Sequence, residues 1–169
     1  MPLVLNGTTG VQDNSGAFVA GTAVASTSGT SIDFTSIPSW VKRITVMFNG
    51  VSTNGTSNPL IQLGDSGGIE TTGYLGLAVN YAGSGASNPT TGFAIALAAA
   101  ANVISGHLVI TLVSSNIWVA SGVFGGSNTI VAAYSTGNKT LSETLDRVRI
   151  TTVNGTDTFD AGSINILYE

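Results

Sequence analysis

The sequence predicts an all-β fold, an antiparallel β-sandwich of jelly-roll-like form, on three observations. Apolar residues recur at every second position in one segment after another, which is the period of a strand with one buried face. Asn-Gly pairs and glycine clusters separate these segments, and both residue types tolerate the positive φ that tight hairpins demand. Charged residues make up only 8% of the 169-residue chain, which holds 22 glycines and has a mean hydropathy of +0.36. A soluble monomer carries about a quarter of its residues as Asp, Glu, Lys or Arg. A surface this poor in charge is expected to be covered by copies of the same chain.

Taken in order, the segment Asn6 to Ser31 is rich in Gly, Ser, Thr and Ala. It reads as an extended arm or as weak edge strands, so residues 1–30 form an attachment segment and residues 31–169 the sandwich domain. Arg43 to Asn49 places Ile44, Val46 and Phe48 on one face. Asn49-Gly50, Asn54-Gly55 and Asn154-Gly155 mark turns, as do Asn58-Pro59 and Asn88-Pro89. His107 to Val113 aligns Leu108, Ile110 and Leu112, and Ser114-Ser115-Asn116 makes a hairpin loop. Arg147 to Thr151 aligns Val148 with Ile150, and Ser163 to Glu169 aligns Ile164, Ile166 and Tyr168. The run Ala94 to Ala101 reads as a buried strand entering a tight loop, with a short helix as the alternative because alanine favours helix. Its small side chains make it a candidate subunit contact. About ten strands at this spacing suit a sandwich or barrel.

Net charge is −4, from nine acidic and five basic residues. The cations Lys42, Arg43, Lys139, Arg147 and Arg149 form no stripe, which excludes a phosphate-tracking nucleic-acid site. There is no cysteine, hence no disulfide or thiolate metal site. The first residues have neither the basic region nor the apolar run of a secretory signal. Phe93 to Ala101 is too short to span a bilayer, which takes about 20 residues. The chain is expected to be made in a cytoplasm and not to insert in a membrane.

Gly64-Asp65-Ser66-Gly67-Gly68 matches the nucleophile loop of trypsin-like proteases, where a Ser attacks beside oxyanion-binding N–H groups. That mechanism needs a His base and an Asp upstream of the Ser, but the single His, His107, follows it. The string is equally a capped turn, and no catalytic residue is assigned. A lone His builds no zinc site. The pairs Asp157/Asp160 and Asp65/Glu70 fit no EF-hand spacing, so no metal or other cofactor is expected. Trp118, Trp40 and Tyr134 are the candidate receptor or subunit contacts, since each pairs a large apolar ring with a polar tip. Trp118 alternates with Ile117 and Val119. With those two facing the core, Trp118 faces outward. Trp40, after Pro38-Ser39, is placed to plug the end of the core.

Two stretches, SIDFTSIPSWVKRITV over Ser31 to Val46 and LDRVRITTVNGTDTFDAGSINI over Leu145 to Ile166, resemble a β-rich domain at the C-terminal end of tail fibre and tail tip proteins of tailed bacteriophages. The resemblance covers about Gly29 to Glu169. It implies a homotrimeric sandwich located on the virion, joined to other virion proteins through the N-terminal segment and contacting a host surface glycan or protein. It brings no fixed set of binding residues and no enzymatic activity. Such domains normally follow a shaft, whereas about 30 residues precede this one. A head-attached fibre or capsid decoration protein with a purely structural role is therefore the alternative expectation.

Overall fold

In the computed structural model, residues 18–81 and 85–169 are described in full, with the backbone of residues 5–6 and 10–11. Among the described residues sixteen strands follow one another: β1 Leu5–Asn6, β2 Gly10–Val11, β3 Val19–Ala20, β4 Val24–Ala25, β5 Ile32–Phe34 and β6 Arg43–Thr53. Next come β7 Pro59–Asp65, β8 Gly68–Ile69, β9 Tyr74–Asn80, β10 Ala86–Ser87 and β11 Phe93–Ala94. The long strands of the second half are β12 Ile104–Ser114, β13 Ile117–Gly126, β14 Ala132–Thr140, β15 Arg147–Thr152 and β16 Phe159–Tyr168. The described residues contain no helix. Every pairing is antiparallel.

Two sheets enclose one core. The large sheet runs β10-β9-β14-β13-β12-β6-β16-β3, with β4 also on β16; the small one runs β11-β7-β15-β5, with β8 on β7. Alternation explains the layers. Ile44, Val46 and Phe48 of β6, Leu108 and Ile110 of β12, and Phe124 of β13 point inward and are buried. They meet Ile61 and Leu63 of β7, Val148 and Ile150 of β15, and Ile32 of β5. Phe48 and Phe124 pack edge to face at 5.3 Å. Tyr74 on the large sheet and Phe93 on the small one do the same at 5.1 Å. The Tyr74 hydroxyl also accepts the Leu63 N–H at 2.7 Å and lies 3.1 Å from the Glu70 carbonyl. This phenol pins one sheet to the other, and burial pushes its pKa well above the ordinary tyrosine value.

The strand β11 ends at Ala94 and the rest of the alanine run is loop, with Phe93 to Leu97 buried and Ala98 to Ala100 exposed. Ser115 turns the β12–β13 hairpin with φ 48°. Asn49-Gly50 behaves differently from the turn its sequence predicts. It lies inside the continuous strand β6, where the registers to β12 and β16 both slip. Gly50 holds φ 63°, and a Cβ on the facing Gly162 would lie 2.3 Å from the Gly50 carbonyl oxygen. The pair is a β-bulge, which bends the strand without ending it. Of the attachment segment expected over residues 1–30, residues 1–4, 7–9 and 12–17 lie outside the described residues. Within its described part β1 and β2 pair only with each other, whereas β3 and β4 lie at the sheet edge on β16 and buried Ser26 donates to the Ala161 carbonyl at 2.7 Å.

Phe124→Ala removes a ring that spans the middle of this core. Chemical denaturation is expected to show a loss of about 3–5 kcal/mol, whereas an unchanged midpoint would mean the ring is not packed between the sheets.

Candidate functional site

The sandwich has two outer faces of opposite character. On the large sheet the outward side chains of four neighbouring strands form rows. Val79, Tyr134, Val123 and His107 face one another across β9, β14, β13 and β12; Leu77, Thr136, Ser121 and Val109 form the next row, and Leu75, Asn138, Val119 and Thr111 the third. None of these positions carries Asp, Glu, Lys or Arg. Leu75 is 67% exposed, Val123 50% and Tyr134 48%. Small side chains at Ser121 and Thr136 leave a hollow of about 420 Å3, bordered by His107, Val109, Val123 and Tyr134.

The outer face of the small sheet is polar and concave. A recess of about 340 Å3 has Gln62 and Thr151 in its floor, with Thr30, Thr91 and Asn154 around it. The Gln62 amide donates to the Thr91 carbonyl at 2.8 Å, and the Thr151 hydroxyl to the Thr30 carbonyl at 2.8 Å. Arg149 in its wall forms a fork with Asp33, two N–H donors each 2.7 Å from a carboxylate oxygen. The pair neutralises itself, so the recess offers hydrogen bonds without net charge.

A third polar group closes one end. Gly64-Asp65-Ser66-Gly67-Gly68 makes the β7–β8 hairpin, with Asp65 accepting the Gly67 N–H at 2.8 Å. Asp65 and Glu70 converge on the Ser142 hydroxyl, at 2.6 and 2.8 Å. Hydrogen bonds from Ser142 and Gly67 hold the Asp65 carboxyl below the usual carboxylate range. Burial pushes Glu70 upward, but Lys139 and Ser142 outweigh it and the net shift is downward. Lys139 is itself buried, pairs with Glu70 and lies 5.4 Å from the centre of the Tyr74 ring. The ion pair thus straps β14 to the hairpin. Ser66 donates to Glu143 at 3.1 Å. His107 stands on the outer face of the other sheet, so the protease-like string acts here as a capped turn. Asp157 is held by the Asn154 amide at 2.6 Å and the Ser57 N–H at 2.9 Å, and Asp160 by Ser52.

Of the three aromatic candidates, Tyr134 lies on the exposed face. Trp40 is half-buried against Tyr168, 5.9 Å between rings, at the margin of the core. Trp118 takes the reverse of the expected orientation. It is 3% exposed and points inward, while Ile117 and Val119 face out. The larger ring wins the interior place because it removes more apolar area from water, even though its Nε1–H has no hydrogen-bond partner among the described residues. The apolar residues that do occupy the outer face, Leu75, Leu77, Val119 and Val123, were not singled out by sequence. In β13 both alternating sets are apolar, and the pattern alone does not say which set is buried.

No protein-family model matches the chain, and neither a curated protein nor a solved structure is found similar to it.

Glu70→Gln leaves the buried Lys139 ammonium without its counter-charge. Unfolding free energy is expected to fall by about 2–3 kcal/mol at neutral pH. Because the Glu70 pKa is lowered by folding, its contribution is present above the unfolded value near pH 4.5 and is lost as pH falls through the folded value. Thermal melts across pH 3 to 7 are therefore expected to converge for wild type and variant on the acid side; a constant gap would contradict the ion-pair account.

Proposed function

We propose that this chain is a structural component of a bacteriophage virion, a homotrimeric tail fibre or tail tip protein that adheres to the host surface. The observation that carries the assembly part is the shortage of charge, with only 8% of residues charged. Of five cations, Arg43, Lys139, Arg147 and Arg149 are each tied to a carboxylate of their own molecule. Only Lys42 forms no ion pair among the described residues. Free surface charge is what keeps a protein soluble as a single copy. A chain this short of it belongs in an assembly that covers its apolar surface, and a ring of identical copies does so with a closed symmetry.

The virion part rests on the resemblance of the Ser31 to Val46 and Leu145 to Ile166 stretches to phage tail domains. Adhesion follows from repetition: several weak contacts on identical copies reinforce one another without any tight single site. The polar recess over Gln62 and Thr151 is the surface left to meet a host glycan or protein once the apolar face is covered.

The purified protein is expected to have a native mass of about 51 kDa, three times the 17.0 kDa of one chain, and to decorate cells of a permissive host. Gold-labelled antibody is expected at the distal tail of particles. Label following the head lattice would replace this reading with a decoration role, and a stable single-chain mass at high concentration would remove its physical basis.

A further inference from the structure

We infer that the outer face of the large sheet, centred on β9, β14, β13 and β12, is where one copy of this chain packs against another. The inference rests on the assembly reading above and assigns it a surface. Leu75, Leu77, Val119, Val123 and Tyr134 together expose on the order of 500 Å2, the upper range for the largest apolar patch on a monomer. With β6 and β16 added, six strands at about 4.8 Å spacing and seven residues at about 3.3 Å rise make a face of roughly 29 by 23 Å. That is close to the footprint of a standard interface, about 800 Å2 of accessible area on each partner.

The occupant is a second copy because the face is complementary to itself. In a ring of three each contact is head-to-tail, so every copy must offer a projection to one neighbour and a depression to the other. Leu75 and Leu77 stand out on β9, and the hollow at Ser121 and Thr136 lies two strands away at most. The patch carries no formal charge on its four central strands, and the one ion pair at its margin, Arg43 with Glu169, is neutral as a unit. Two copies therefore meet without like-charge repulsion, and there is no field to select a partner of opposite sign. His107 borders the hollow with Met47 and Val123 as its cross-strand neighbours, so its ring also meets an apolar surface. In a three-copy ring the face lines the axis and the polar recess of the small sheet points away from it.

The test compares native mass by light scattering for wild type, for Leu77→Glu with Val123→Glu, and for Val153→Glu on the recess side. The face variant is expected to fall about threefold in mass to a single chain, with wild-type circular dichroism, while the recess variant keeps the wild-type mass. A folded face variant that stays oligomeric overturns the assigned surface and leaves the assembly reading standing. A wild-type protein of one-chain mass overturns both. Should the double variant not fold, a single Leu77→Cys in this cysteine-free chain serves instead. Mild oxidation is expected to give a covalent dimer from it and none from Val153→Cys, and the opposite pattern overturns the surface.

Discussion

A sandwich of two sheets has two inner faces to bury and two outer faces to keep wet, and in this chain one of the outer pair carries exposed apolar side chains and no formal charge on β9, β14, β13 and β12. The small sheet receives Gln62, Thr151, Arg149 and Asp33. The large sheet receives Leu75, Leu77, Val119, Val123 and Tyr134. Four of the five cations are spent on internal pairs, at Lys139–Glu70, Arg149–Asp33, Arg147–Asp146 and Arg43–Glu169. The asymmetry of the surface follows from this distribution, and the proposed assembly follows from the asymmetry.

The inner contact is held by apolar burial, which has no direction of its own. Direction comes from the few polar anchors that cross between layers. The Tyr74 hydroxyl meets the backbone of β7, and Lys139 reaches Glu70 beside the same ring. These contacts fix how the end of the large sheet sits over the small one, and they tie the protease-like hairpin into the scaffold. A buried ion pair of this kind is weak evidence for net stability, since desolvation opposes it. Its effect here is positional: loss of either partner leaves the other charge stranded.

Much of the architecture was legible beforehand. The alternation in Ile44-Val46-Phe48 and Val148-Ile150 correctly identified inward faces, because their opposite positions are mostly polar. The Ser115 and Gly155 turns were legible from local chemistry, since each needs a conformation few residues adopt. Legibility failed where local signals were degenerate. Asn49-Gly50 serves a hairpin or a bulge equally well, and only the strands on both sides of β6 decide which. Ile117 to Phe124 has two apolar faces, so Trp118 was assigned to the wrong one. Asp65, Glu70, Lys139 and Ser142 are far apart in the chain, and no spacing rule joins them.

By itself the sequence determined the all-β class, the positions of most strands and the shortage of charge, because side-chain period, turn preference and composition are local or additive properties. Which apolar set faces the core, where the four ion pairs close and which outer face is left apolar were decided only in the folded molecule. Those outcomes depend on register between strands distant in sequence, and a shift of one residue would exchange the two faces of every strand it touched.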